Sequence, residues 1–322
     1  MLTARKRNRK RPRRMTLPTD LLLERCHALP PTRTAIVHPV STSALEAAAD
    51  AARRDLIVPV LVGPAARIAE AARRAGVDIA EWELVDTEHS HAAATKAVAL
   101  AAARTVEAIM KGSLHTDELL GAVLEKEAGL RTERRLSHAY VMSIATYPKP
   151  FVITDAAVNI APDLSAKADI VRNAVDLWHA LFGDGPPKVA VLAAVETINP
   201  RMVATLDAAA LCKMADRGQI TGCLIDGPLA FDNAVSKAAA REKGIVSQVA
   251  GDADILLVPE IEAGNMLAKQ LSFLGNAEAA GIVLGARVPI ILTSRADNER
   301  ARLLSCAIAV LLAEARRLGR IK

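Results

Sequence analysis

A polar segment near the end of the chain gathers side chains that could bind an anion. Ser294, Arg295 and Asp297 follow an apolar, β-rich run and precede a long helical pattern. The planar guanidinium of Arg295 can hold the oxygens of a phosphate or a carbonyl with two N–H groups. Open α/β sheets bind ligands at the carboxyl ends of strands, where helix N-termini present unpaired N–H groups. The segment therefore predicts a site for an anion of phosphate type.

Two further stretches also place polar residues where an anion could bind. The pattern predicts a helix over 264–275, which places Gly264 and Asn265 at its start and Lys269 one turn later on the face of Asn265. Lys269 could equally be a solvated surface lysine. Lys111 ends another β-rich run just before a helical stretch and indicates a second phosphate cradle, although no Walker or GxGxxG pattern is present.

The elements that position these residues alternate regularly in the first half. β-rich runs at 33–38, 58–63, 81–86 and 106–112 are separated by alanine-rich helical stretches at 42–54, 64–75, 90–104 and 116–127. Strands separated by ten to fifteen helical residues are typical of right-handed crossovers and a mainly parallel sheet.

The alternation of strands and helices breaks at 134–159, where two β-like runs follow each other with Pro148 and Pro150 between them. This pattern predicts a hairpin or a passage between domains, and a second βα series follows it. We expect two three-layer α/β domains with mainly parallel sheets and a cleft between them. The first comprises 15–147 and 295–322, since the last helix (297–317) returns to it, and the second comprises 148–294.

Composition narrows the class of protein. Of the 41 basic residues, eight fall in residues 1–14, which contain no acidic residue, leaving 33 basic against 36 acidic residues elsewhere. We interpret 1–14 as a disordered basic tail, and the body has no charge excess for nucleic acid. The chain has no apolar run long enough to cross a membrane. Four scattered cysteines without a CxxC pair, and no HExxH pattern, predict free thiols in a cytoplasmic protein without a metal site.

Six strings together resemble the phosphate acyltransferases, the phosphate acetyltransferase and phosphate butyryltransferase family. They are KGSLHTDELLGAVL (111–124), RRLSHAYV (134–141), ITDAAVNIAPDLSAKADIVRNAV (153–175), IDGPLAFDNAV (225–235), VPEIEAGNMLAKQL (258–271) and LTSRAD (292–297). The resemblance implies the reversible reaction of acyl-CoA and phosphate to give acyl phosphate and CoA. It also implies a homodimer, a two-domain fold like that of isocitrate and isopropylmalate dehydrogenases, and coenzyme A as substrate with no other cofactor.

The resemblance also suggests roles for individual residues. Arg295 would stabilise charge on the reacting carbonyl, and Ser294 would either hydrogen-bond the reacting groups or cap the last helix. Asp297 would be either a base for the CoA thiol or a helix cap. The acetyl enzymes place their presumed basic aspartate six residues after the arginine, where this chain has Ala301, so Asp155 is kept as a reserve candidate.

The remaining family matches are expected to bind substrate. They are Gly264, Asn265, Lys269, Asn159, Lys111 and Ser137. Acetyl, propionyl and butyryl groups all remain open as substrates, because one methylene contributes only about 1–3 kcal/mol of discrimination. Two other functions also remain open. One is a metal- and NAD-dependent decarboxylating dehydrogenase of similar architecture, and the other is a non-catalytic protein that binds acyl-CoA or phosphate.

Overall fold

A computed structural model describes residues 18–183, 185–292 and 298–321. The strands are β1 Thr32–Val37, β2 Ile57–Gly63, β3 Glu83–Asp86, β4 Ala108–Lys111, β5 Ser137–Ser143, β6 Phe151–Thr154, β7 Lys188–Leu192, β8 Leu224–Leu229, β9 Ile255–Leu257, β10 Glu278–Leu284 and β11 Ile290–Ile291. The helices are α1 Pro18–Cys26, α2 Thr42–Arg53, α3 Ala65–Ala75, α4 Ser90–Ala102, α5 Thr116–Leu124, α6 Leu164–Phe182, α7 Val203–Asp216, α8 Phe231–Val235, α9 Lys237–Glu242, α10 Ile261–Leu274 and α11 Glu299–Arg317.

The strands form one continuous, mostly parallel sheet, whereas the sequence predicted a separate sheet for each domain. Its order is β3-β2-β1-β4-β11-β10-β5-β6-β9-β7-β8. The parallel strands β3, β2, β1, β4 and β11 form a first half, and β6, β9, β7 and β8 form a second. The predicted hairpin of β5 and β6 is confirmed. The two halves fuse because β10 pairs with β5 from Glu278 opposite Ser143 to Leu284 opposite Ser137.

The carboxyl ends of the two halves meet at one level of the sheet. Three antiparallel pairings separate the halves, so their strands run in opposite directions. One row of neighbouring residues passes through both ends: Met110, Ile291, Ile282, Ala139 and Thr154. Lys111 follows this row on β4 and Asp155 follows it after β6. Four strand spacings, about 19 Å, separate these two residues across the sheet.

The hydrophobic core is arranged differently on the two faces of the sheet. On one face, α6 and α11 pack on strands of both halves in a single cluster that includes Ile36, Val141 and Val189. On the other face, α4 and α5 pack on the first half and α10 packs on the second, in two separate clusters. The two clusters meet at β5 and β10, where Tyr140 and Ala279 are only partly buried.

The predicted start of the helix over 264–275 is wrong. Helix α10 begins at Ile261, one turn before Gly264, and the Glu260 side chain accepts hydrogen bonds from the N–H groups of Glu262 and Ala263. A carboxylate thus caps the actual helix start, and the N–H of Gly264 donates to the backbone carbonyl of Glu260 within the helix instead of being left for an anion. Helices α8 and α9 are separate, because Ser236 between them is extended and caps α9.

Two findings concern the chain's environment. No helix in the described ranges combines the length and apolar character that a membrane span requires. The four cysteines carry free thiols, and Cys26 and Cys306 are buried. Burial raises the thiol pKa to about 11 for Cys26 and about 12 for Cys306.

Candidate functional site

A cavity of about 360 Å³ lies between α10 and the start of α11, over strands β5 and β10. Its lining includes Tyr140 from β5, Lys269 and Phe273 from α10, and Asn298 and Ala301 from the start of α11. Most other walls are small or apolar. The cavity therefore combines an apolar interior with a few polar groups, as small-molecule sites commonly do.

Lys269 supplies positive charge to this cavity. Its side chain extends from the exposed side of α10, one turn after Asn265. Arg300 also lines the cavity, but its guanidinium bonds Asp20 at 2.5 Å and Glu278 at 3.0 Å. These two carboxylates neutralise Arg300, which leaves Lys269 better suited to bind an anion.

The segment 293–297 follows β11 and precedes the cavity residue Asn298. Ser294, Arg295 and Asp297 lie outside the described residues. Asn298 is the N-cap of α11, and its side chain accepts a hydrogen bond from Ala301 N at 2.8 Å. The capping role weighed for Ser294 and Asp297 is therefore filled by Asn298.

Arg300 was missed by sequence reasoning. It joins α1, β10 and the first turn of α11 through its bonds to Asp20 and Glu278. This network fixes the direction in which α11 leaves the cavity. Its partners are far apart in sequence, so no local pattern could have revealed it.

Asp155 organises the loop that follows β6. It is 2% exposed. One oxygen accepts hydrogen bonds from the backbone N–H groups of Ala157 and Val158, at 2.9 and 3.0 Å. The other accepts from the backbone and side-chain N–H groups of Asn159. Four donors thus hold the carboxylate, and these hydrogen bonds fix the loop.

Asn159, Gly264 and Asn265 join the same cluster. The Asn159 side chain also donates to the carbonyl of Leu136, just before β5, at 2.8 Å. Asn265 donates to the carbonyl of Ala156 at 3.1 Å. A Cβ on Gly264 would lie 2.8 Å from the carbonyl oxygen of Asp155. Glycine therefore allows α10 to approach the loop, and α10 carries Lys269 from this cluster to the cavity.

Lys111 lies on the opposite side, at the end of β4. Its ammonium group donates to the carbonyl of Leu114 at 3.0 Å and contacts that of Gly112 at 3.4 Å. Next to it, a Cβ on Gly112 would lie 2.3 Å from the carbonyl oxygen of Val37. The loop after β4 is thus packed tightly onto the end of β1, and Lys111 braces it.

Ser137 and His138 begin β5 and are both buried. The Ser137 hydroxyl accepts a hydrogen bond from Asn173 of α6 at 2.9 Å, so it faces the α6 layer. His138 stacks edge-on against Tyr140, with ring centroids 4.4 Å apart. Burial lowers the pKa of His138 to about 4, opposed by the charge of Asp155. The imidazole is therefore neutral at pH 7.

The structure thus brings Asp155, Asn159, Gly264 and Asn265 into one contact cluster. It places Lys269 in the cavity and keeps Lys111 and Ser137 in separate surroundings. Within the described part of the chain, no three His, Cys, Asp or Glu side chains are grouped closely enough to hold a metal ion.

Residues 90–310 match the model of the phosphate acetyl/butaryl transferase family. The chain belongs to this family of acyltransferases. The phosphate acetyltransferase of Rickettsia felis (strain ATCC VR-1525 / URRWXCal2) is 59% identical over 290 residues, which are 90% of this chain and 83% of that protein. The phosphate butyryltransferase of Clostridium acetobutylicum is 44% identical over 269 residues, covering 84% of this chain and 89% of that protein.

A solved structure extends the match to three dimensions. The crystal structure of a branched-chain phosphotransacylase from Enterococcus faecalis V583 superposes with a TM-score of 0.77 at 29% identity, covering 88% of this chain and 99% of that one. The family match includes all ten candidate residues, from Lys111 to Asp297. It also includes Ala301, the position six residues after Arg295 at which the resemblance led us to expect an aspartate in the acetyl enzymes. Ala301 lines the cavity.

Proposed function

We propose that this phosphate acyltransferase exchanges an acetyl group between coenzyme A and inorganic phosphate. The observation that carries the choice of acyl group is the higher identity to a phosphate acetyltransferase, 59%, than to a phosphate butyryltransferase, 44%. Butyryl is the second candidate, because the cavity walls near the start of α11 are small: Ala279, Gly281 and Ala301.

In the direction of acetyl-CoA synthesis, the CoA sulfur attacks the carbonyl carbon of acetyl phosphate as a thiolate. A C–S bond forms, the carbonyl oxygen becomes an oxyanion, and collapse of this intermediate breaks the C–O bond to phosphate. Arg295 stabilises the oxyanion and the departing phosphate, and Ser294 donates a hydrogen bond to the reacting groups. Asp297 takes the thiol proton, which is otherwise held with a pKa of about 8.5.

The described residues support these steps in different ways. Lys269 attracts the phosphate from the wall of the cavity. Asp155 and Asn159 hold the loop against which Gly264 and Asn265 seat α10, so these four act by positioning Lys269. Lys111 braces the loop after β4, away from this cavity.

Ser137 supports β5 through Asn173 rather than contacting substrate. No cofactor is required beyond coenzyme A as substrate.

The larger organisation belongs to the same proposal. Residues 15–147 with 295–322 and residues 148–294 act as two domains around the cleft, in the manner of isocitrate dehydrogenase-like enzymes. The two separate core clusters on the cleft face support this division. We propose a cytoplasmic homodimer that covers exposed apolar side chains at the start of α7, such as Val203, which is 67% exposed.

The test is consumption of acetyl phosphate and butyryl phosphate by the purified protein, with and without CoA. We expect CoA-dependent turnover, faster with acetyl phosphate. A higher kcat/KM with butyryl phosphate would show that the protein prefers butyryl to acetyl as the acyl group. Binding of CoA without turnover of either substrate, in folded protein, would favour the non-catalytic alternative and contradict the proposal.

A further inference from the structure

A second cavity, of about 510 Å³, lies between the carboxyl end of β10, the segment that precedes β5, and helices α6 and α11. Arg131, Arg134, Arg287 and Arg316 line it. Its lining contains two acidic residues, Glu133 and Asp176. The cavity wall therefore carries an excess of two positive charges.

The arginines are held in place by the surrounding backbone. Arg134 forms an ion pair with Asp176 at 2.6 Å, and Arg316 donates to the carbonyl of Ala286 at 2.9 Å. For Arg131 and Arg287 it is the backbone that is fixed: Arg287 N donates to the carbonyl of Leu130 at 2.9 Å, and Arg131 forms an antiparallel β-bridge with Ala286. The guanidinium groups of Arg134 and Arg316 are therefore already oriented, and they lose little entropy when they bind an anion.

Electrostatics favours an anion at the same place. Burial lowers the pKa of Arg316 to about 10, with Asp176 opposing the change and the positive charge of Arg134 adding to it. Arg316 is still charged at pH 7, so like charges lie close together in a partly dehydrated cavity. A bound anion would offset both the repulsion and the loss of hydration.

The second cavity shares two elements with the first cavity, the one between α10 and the start of α11, which we call the candidate active cavity. Strand β10 contributes Gly281 to the active cavity and Leu284 to the second one. Helix α11 contributes Ala301 to the active cavity and Arg316 to the second one. Fifteen helical residues span about 22 Å, so one rigid helix connects the two cavities.

We propose that this arginine-lined cavity binds a phosphorylated small molecule and that its occupancy alters acyl transfer through α11 and β10. Phosphate oxygens match the bidentate geometry of arginine. Leu177, Leu284 and Leu312 provide apolar walls for the organic part of the ligand. The site is separate from the one that carries the acyl transfer, and its binding can be measured whether or not the protein turns over acetyl phosphate.

The binding test uses inorganic pyrophosphate as the probe, titrated by calorimetry into full-length protein saturated with CoA. The double variant Arg131→Gln/Arg287→Gln removes two exposed arginines, so folding should be preserved and is checked by thermal unfolding. Arg73→Gln, an exposed arginine of α3, is the matched control. We expect binding to the wild type and the control, and affinity weaker by about tenfold or more in the double variant.

The coupling is tested by acetyl phosphate turnover with and without pyrophosphate. We expect the probe to change kcat or KM in the wild type and in Arg73→Gln, and to have a smaller effect in the double variant. Equal pyrophosphate affinity in all three proteins, or no binding to the wild type at millimolar probe, would overturn the site. Binding that leaves turnover unchanged would overturn the coupling.

Discussion

Lys269 shows how one residue is assigned a role by its surroundings. Two cations line the candidate active cavity on α10 and α11, but Arg300 is committed to Asp20 and Glu278. An anionic substrate would have to displace those carboxylates to use Arg300. Lys269 has its ammonium group on the exposed side of α10, so it can bind phosphate without breaking an existing network.

We expect Lys269→Gln to raise the KM for phosphate by about tenfold with a smaller effect on kcat, because a charged hydrogen bond contributes about 1.5–3 kcal/mol. Steady-state kinetics in the direction of acetyl phosphate formation measure this. Lys96→Gln, which removes an exposed lysine of α4, should leave KM unchanged. A KM for phosphate equal in both variants would place the phosphate elsewhere.

The sequence singled out Arg295 and Lys269 as candidates because both belong to short strings that resemble a family. It could not reveal that four N–H groups hold Asp155, since that depends on how the chain turns after β6. Nor could it reveal the bonds of Arg300, whose partners lie on α1 and β10. The sequence shows which residue types are present, but it does not show which hydrogen bonds they form, and those bonds determine what each residue can do.

At the scale of elements, helix α10 links the loop after β6 to the cavity. The sequence placed its start at Gly264, because glycine and asparagine commonly flank helices. The structure explains this glycine by close packing instead, since Gly264 is buried within α10 beside the carbonyl of Asp155. The sequence pattern predicted that a helix is present, but not where it starts. The start is set by the Glu260 side chain, which accepts hydrogen bonds from the N–H groups of Glu262 and Ala263.

We expect Gly264→Ala to destabilise the protein by about 1–3 kcal/mol, because the new methyl group would overlap the Asp155 carbonyl. Gly121→Ala is the matched control within helix α5, where an added Cβ meets no atom within 4 Å. It should stabilise the protein by about 0.4–1 kcal/mol. Urea unfolding of both variants measures the difference, and a neutral or stabilising Gly264→Ala would show that α10 is not seated on this loop.

At the scale of the whole molecule, the first βα series and the β5–β6 hairpin were predictable because apolar runs and alanine-rich stretches encode them locally. The fusion of both halves into one sheet was not. It depends on the pairing of β10 with β5, two strands far apart in the chain, over seven residues of matched register. That pairing sets the level at which both sets of strand ends meet.

The buried His138 at this junction should make stability depend on pH. Its pKa falls from 6.5 to about 4 in the folded protein, mainly through burial. Between these values the unfolded chain binds a proton that the folded protein does not. The contribution is therefore complete above about pH 6.5 and is lost as the pH falls towards 4, by up to about 3 kcal/mol.

Urea unfolding at about pH 7.5 and about pH 5 tests this expectation. The wild type should lose more stability on acidification than His138→Gln, which carries no titratable group at this position. His27→Gln, at an exposed site, should behave like the wild type. The same pH dependence in all three proteins would mean that His138 takes up its proton without opening the junction.

The central claim is that the chain performs acyl transfer with Arg295 as its charge-stabilising group. The most direct measurement is CoA-dependent consumption of acetyl phosphate by the wild type and by Arg295→Ala, with Arg73→Gln as an exposed arginine control. We predict that kcat falls by about 10²–10³ in Arg295→Ala, corresponding to about 2.7–4 kcal/mol, while the fold and the control's activity are kept. Wild-type turnover that survives this substitution within a few-fold would contradict the account.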